Sequence, residues 1–388
     1  MHAKSDRIFG LDALRAFAIL FVVYGHGISY TDPAIIPNEI YNLLILDGVT
    51  MFFVLSGFLI GRILLRILAD AGFGFRMLAE FWVRRWFRTL PNYFLVLTFL
   101  VIVSYLSGWP QPGSLVQYYF FSQNLASPHP DFFQEAWSLS IEEWFYLAVP
   151  MLMYLSARLK KTGWQKLIPL WIAVIIIAVT AFRIYRAYHY NYPNFQTWDL
   201  ALRKQVVTRF DSLMFGVLGA YASIYYLKFW HKVAGKAFIA GICLLVFDKL
   251  FYTVIHSAFY INYFTLTLSA AGTLLLLPKL SSMKRNNSRM VSIITFVSVT
   301  SYSMYLLNFT PVQGVILPVV MRELTDLYWI SEHKHLVSYF LYWIITLAAS
   351  YLLYQYFERP MTGLRDRFHT RGQVAVTAFT EREAQSKS

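Results

Sequence analysis

Runs of roughly 20 apolar residues recur along this chain, and a run of that length is what an α-helix needs to cross the hydrocarbon core of a bilayer. About ten are legible, near residues 9–30, 43–66, 89–107, 137–156, 165–184, 209–227, 236–255, 259–278, 291–320 and 336–357. Backbone in lipid finds no water for its N–H and C=O groups, so segments of this kind are expected to be helical. Composition agrees. The chain is 57% hydrophobic and 14% charged, with 33 Phe, 27 Tyr and 11 Trp, whereas about a quarter of an ordinary soluble domain is charged. The runs follow one another too closely to leave a separate globular unit. The expectation is an all-α integral membrane protein, with one transmembrane domain over 1–360 and a polar tail over 361–388. The ninth run is long, and Pro311 or Pro318 is expected to break it, because proline lacks a backbone donor.

The distribution of Lys and Arg orients the bundle, since cytoplasmic loops carry an excess of both. With the N-terminus inside, 25 of the 34 Lys and Arg fall in cytoplasmic segments and eight outside, while Arg15 lies within a span. Both termini are therefore expected to be cytoplasmic. The apolar stretch Ala16–Val23 is read as part of the first span rather than a signal peptide, because Arg15 interrupts the run. One outer loop runs against the rule: it holds Arg183, Arg186, Arg203, Lys204 and Arg209 among Tyr and Trp. That pattern fits an acceptor-binding rim or an interfacial aromatic belt. The net charge of +13 is accounted for by cytoplasmic cations facing anionic lipid, so nucleic acid is not an expected partner. A single cysteine, Cys243, excludes an intramolecular disulfide, and no His-Glu-x-x-His pair suggests zinc. No metal is expected.

Ionisable residues inside a span are costly and mark a functional site by default. In the first span, Arg15 and His26 lie eleven positions apart, close to three full turns, so they share a face about 16 Å apart along the axis. An imidazole deep in a cavity suits proton transfer. The stretch 81–91 clusters Arg84, Arg85 and Arg88 on a helix face at the cytoplasmic boundary. Guanidinium forks there suit phosphate, or the stretch is an amphipathic helix lying on anionic lipid. The fourth span opens Trp137-Ser-Leu-Ser-Ile-Glu142, and the sequence reading puts Glu142 at the depth of His26. A carboxylate there would orient the imidazole, as in a triad.

Taken together, these motifs resemble membrane-bound acyltransferase family 3. The resemblance rests on Arg15 with ten residues before His26, on Val49–Phe58, on Arg85 and Arg88 before Pro91, and on Trp137–Glu142. Arg209–Gly216, which holds Asp211, and Tyr356–Pro360 look like later landmarks of the same family. One position departs: relatives tend to end Ser-Tyr-x-x-Tyr-Leu-x-His, and this chain has Asn308, so no second histidine role carries over.

The resemblance implies an O-acyltransferase of the cytoplasmic (inner) membrane. Its donor would be a cytoplasmic acyl-CoA such as acetyl-CoA, and its acceptor a sugar hydroxyl of an envelope polysaccharide, glycolipid or glycosylated small molecule. On that view Arg15, Arg85 and Arg88 bind the donor phosphates, His26 is the general base and Glu142 supports it. Asp47, Trp137, Arg209 and Asp211 would bind the acceptor. Two other classes remain open on the residues alone. A proton-coupled transporter or flippase would also place His, Arg and Glu in the bilayer, but repeat symmetry and paired broken helices are not evident. A lipid- or glycan-binding scaffold would keep the bundle without needing His26.

Overall fold

The structure is a computed structural model that describes residues 7–33, 35–70, 74–108, 111, 113–159, 163–190, 192, 194–324 and 328–365. Regular structure among these residues is helical throughout. The long helices are α1 (Phe9–His26), α2 (Gly48–Leu68), α3 (Phe75–Ser107), α4 (Ala136–Leu159), α5 (Leu167–His189), α6 (Val206–Tyr225), α7 (Leu227–Leu250), α8 (Thr265–Leu280), α9 (Arg289–Leu307) and α10 (Lys334–Leu353). Most of the expected tail lies outside the described residues.

Seven helical stretches are long and apolar enough to cross a membrane, with Thr265–Leu280 a shorter apolar helix. The protein is thus an integral, multi-pass membrane protein. Seven rather than about ten meet that test, and the reason is physical. Helices α4 and α6 carry Glu142 and Glu143, and Arg209 and Asp211, so their composition is not that of a lipid-facing segment. Both are packed inside: α6 lies against α2, α5, α8 and α4. By contrast α5, α7 and α10 present most of their surface outward, and only 17% of their most apolar stretches is buried.

Several boundaries differ from the sequence reading. The second span starts at Gly48 because Asp47 caps it, its side chain accepting the Thr50 N–H at 3.1 Å and the Thr50 hydroxyl at 2.6 Å. The third is a continuous helix of 33 residues from Phe75. A count of apolar residues stops at the arginines of 84–88, but the helix runs through them and through Pro91. The eighth is interrupted at Phe264, between a short helix Ala258–Tyr263 and α8. The ninth breaks, as expected near Pro311, into α9, a π-helical run Asn308–Ile316 and a further helix Leu317–Leu324. Pro311 cannot donate to the Leu307 carbonyl, so regular α-helical bonding stops at that turn.

The contact between α2 and α6 organises the bundle. Water-exclusion gives little drive for helix association in lipid, so close backbone approach through small residues carries the contact. A Cβ built on Gly57 would lie 1.9 Å from the Leu213 carbonyl oxygen, and one on Gly216 would lie 2.1 Å from that of Val54. Neither site has room for a side chain. We expect Gly57→Ala and Gly216→Ala each to lower stability by about 1–3 kcal/mol or more, read as thermal denaturation in detergent. Gly235→Ala, with nothing within 4 Å, is the control and should be neutral or gain about 0.5–1 kcal/mol. Equal stability of the two kinds of variant would mean that the α2–α6 contact does not limit the fold.

Candidate functional site

Two cavities meet inside the bundle. The larger, about 390 Å³, is lined by His26, Asp47, Glu135, Trp137, Asp199, Arg203, Lys204 and Lys249 among others. The smaller, about 280 Å³, is lined by Arg15, Arg85, Arg88, Glu142, Ser56 and Tyr302 among others. Val49 and Tyr305 line both. The Tyr305 hydroxyl lies 2.5 Å from Ser138 Oγ and donates to the Glu135 carbonyl at 3.2 Å.

The motif residues sort between the two cavities in a way the sequence reading did not anticipate. Glu142 was expected beside His26. Instead it lines the smaller cavity, 3.9 Å from Arg85, while His26 Nδ1 lies 2.5 Å from Asn308 Oδ1. A shared depth on two helices does not make two side chains neighbours when their faces diverge. The Phe309 ring packs on the imidazole, with centroids 4.5 Å apart. His26 Nε2 has no hydrogen-bond partner among the described residues.

Three arginines face the smaller cavity in different states of pairing. Arg15 reaches Asp12 at 3.6 Å, but Arg7 holds the same carboxylate more closely, at 2.6 Å. Arg85 donates to the Tyr146 hydroxyl and stacks over that ring at 4.1 Å, yet its Nε is buried without a partner. Arg88 makes no hydrogen bond or ion pair with any described residue. Three guanidinium groups and one carboxylate, Glu142, line the cavity wall, a positive excess at that surface under which a phosphate would gain most.

The basic loop that broke the charge rule is largely paired into the protein. Arg183 is buried and forms an ion pair with Asp211 at 2.7 Å, and Arg186 donates to Gln205. Arg203 bonds Asp199 at 2.9 Å and Asp47 at 3.5 Å, and Lys204 reaches Asp199 at 2.7 Å. Burial alone would raise the Asp199 carboxyl, but Arg203 and Lys204 outweigh it and hold the group below the usual carboxylate range. Of the four residues expected to meet an acceptor, Asp47 and Trp137 line the larger cavity, and Arg203 lies over the Trp137 ring at 5.3 Å. Arg209 is one layer back, donating to Thr50 Oγ1 at 2.6 Å and 3.9 Å from Asp47. Asp211 lines neither cavity.

Sequence reasoning missed Glu135 and undervalued Asn308. The Glu135 carboxylate accepts the backbone N–H groups of Phe309 and Thr310, at 3.1 and 2.5 Å, and the Thr310 hydroxyl. An acidic residue closing the aromatic stretch Phe132–Trp137 was the available signal. For Asn308 it was the departure from the relatives' histidine.

The family model described as an acyltransferase domain matches residues 8–355. The chain belongs to membrane-bound acyltransferase family 3. A Bacillus subtilis protein named "putative peptidoglycan O-acetyltransferase YrhL" is 32% identical over 175 residues, 39% of this chain and 25% of that protein. The "peptidoglycan O-acetyltransferase OatA" of Listeria monocytogenes is 32% identical over 161 residues, 36% of this chain and 23% of that one. The matched segments thus span about a quarter of these curated relatives. No solved structure matches the chain.

Within this family member, Asp211 is placed to act through the fold. Breaking a buried ion pair from one side costs about 3–5 kcal/mol. Asp211→Asn should therefore lower the midpoint of thermal denaturation, with loss of activity following loss of folded protein. An Asp211→Asn protein of unchanged stability but weakened acceptor binding would assign the residue to the site instead.

Proposed function

We propose that this chain moves an acyl group, acetyl first, from acyl-CoA to a sugar hydroxyl of a cell-envelope polysaccharide, glycolipid or glycosylated small molecule. The observation that carries the reading is the junction of the two cavities: one is lined by three guanidinium groups, of which Arg88 has no partner among the described residues, the other by an imidazole whose Nε2 has none among them, and both reach Tyr305 and Val49. Family membership supplies the reaction class. The names of the Bacillus and Listeria proteins support an envelope glycan as acceptor. We take the bundle to cross the cytoplasmic membrane about ten times, with both termini and the arginine cavity on the cytoplasmic side and His26 toward the outer side.

Arg88, Arg85 and Arg15 would hold the donor phosphates, with Glu142 keeping Arg85 in place between turnovers. The uncharged pantetheine arm would bring the thioester past Tyr305 to His26. The acceptor would enter the larger cavity, where Trp137 offers a sugar-stacking surface and Asp47, set by Arg203 and Arg209, a hydroxyl acceptor. His26 takes the acceptor's hydroxyl proton as its oxygen attacks the thioester carbonyl; the C–O bond forms, the C–S bond breaks, and the proton passes to the departing sulfur. Polar atoms tied down before the substrate arrives lower the cost of reaching that transition state.

Transfer from labelled acetyl-CoA in membranes tests both halves. His26→Ala should lose about 10²–10⁴-fold in kcat, and wild-type transfer by that variant would sink the base assignment. Arg85→Ala with Arg88→Ala should raise the KM for acyl-CoA at least about tenfold, as loss of charge-assisted hydrogen bonds implies. Mass spectrometry of envelope glycans with and without the gene should show an added acyl mass, which would also identify the acceptor; identical glycans would argue against an envelope substrate.

A further inference from the structure

The end of α9 contains a side-chain arrangement more specific than a helix cap requires. Asn308 is fully buried. Its amide nitrogen donates to the Met304 carbonyl at 2.8 Å and to the Tyr305 carbonyl at 2.9 Å. A carbonyl oxygen only accepts, so both amide hydrogens are committed to the helix, and the orientation of the amide follows. Its oxygen must then face His26, where it meets Nδ1 at 2.5 Å. An amide oxygen has no proton to give. The hydrogen between the two atoms therefore belongs to Nδ1, and neutral imidazole carries only one.

We propose that Asn308 is a positioning residue that fixes the His26 proton on Nδ1 and so presents Nε2 as the base. The chemistry of this step rests on the acyl-transfer reading; the tautomer does not. Nε2 then accepts the acceptor's hydroxyl proton, and the resulting imidazolium keeps its Nδ1–H bond to Asn308 until Nε2–H protonates the sulfur that leaves. A wrong tautomer would put a hydrogen where the lone pair is needed.

Neighbouring contacts hold this geometry from three directions. Tyr342 places its hydroxyl 3.3 Å from Asn308 Oδ1 and 3.0 Å from the Val23 carbonyl on the helix of His26. Phe309 packs against the imidazole. Glu135 grips the backbone of Phe309 and Thr310 from ahead of α4. This explains how a chain without the relatives' histidine at 308 keeps a defined base. The amide contributes direction and no charge, so His26 is oriented without being held as a cation.

The test reads the tautomer directly. Solid-state ¹⁵N spectra of histidine-labelled full-length protein in lipid bilayers, with His26 assigned by the signal lost in His26→Gln, should show a protonated Nδ1 and an unprotonated Nε2 at neutral pH. In Asn308→Ala that signal should shift to Nε2–H or a mixture, with kcat down about 10²-fold and the KM for acyl-CoA within about twofold. A wild-type His26 protonated on Nε2 would overturn the proposal, whether or not the variant folds. So would an Asn308→Ala protein with unchanged tautomer and unchanged kcat. Failure to transfer an acyl group from any acyl-CoA would defeat the functional reading and leave the ¹⁵N result standing.

Discussion

Every charge enclosed in a bilayer-embedded bundle must be matched or left available for a ligand, because hydrocarbon offers no water to do either. The helices α4 and α6, which carry Glu142, Glu143, Arg209 and Asp211, are drawn to the centre for that reason. Arg183 answers Asp211, Arg203 answers Asp199 and Asp47, and Arg209 closes on Asp47 from behind. Once those pairs are made, a few ionisable groups with spare hydrogen-bonding capacity remain on the cavity walls. Arg88 and one edge of Arg85 are left facing the smaller one, and one nitrogen of His26 is left facing the larger. A membrane protein in which pairing is so extensive makes its exceptions informative.

The same rule explains what could be read from the sequence. Spans whose lipid-facing surface dominates, such as α5 and α10, declared themselves by apolar composition. The arginines of 84–88 concealed the true start of α3, because an apolar count ends where a helix need not. The outer loop with its five cations looked like an exception to charge topology. Folding its arginines into pairs with Asp211, Asp199 and Asp47 removes most of them from the loop surface on which that rule operates.

At the site, the residue types were legible and their partners were not. Arg15, His26, Arg85, Arg88 and Glu142 all line a cavity, although Arg15 and His26, which helix spacing puts on one face, line different ones. The pairing of Glu142 with His26 came from depth alone, and depth says nothing about which way a helix is turned about its axis. Asn308 was visible only as a missing histidine, and the role proposed for it depends on a break in α9 and on carbonyls that a sequence does not display. Glu135 accepts from backbone N–H groups 174 and 175 residues away, a relation without any local periodicity to announce it.

The length of α3 has a bearing on solvation. At 33 residues the helix is about 50 Å long, against a hydrocarbon layer of about 30 Å, so one end must reach the headgroups unless the helix tilts steeply. Arg85 and Arg88 are ten and thirteen residues from its start at Phe75, about 15–20 Å along the axis, which would put them at the boundary between headgroup and chain if the far end of the helix sits at the opposite edge of the hydrocarbon. On the proposed reading, a nucleotide gripped there would stay among water, counterions and lipid phosphates. Only a slender neutral tether would have to descend, and the dehydration of several phosphate charges, the largest obstacle to drawing such a molecule into a membrane, would never arise.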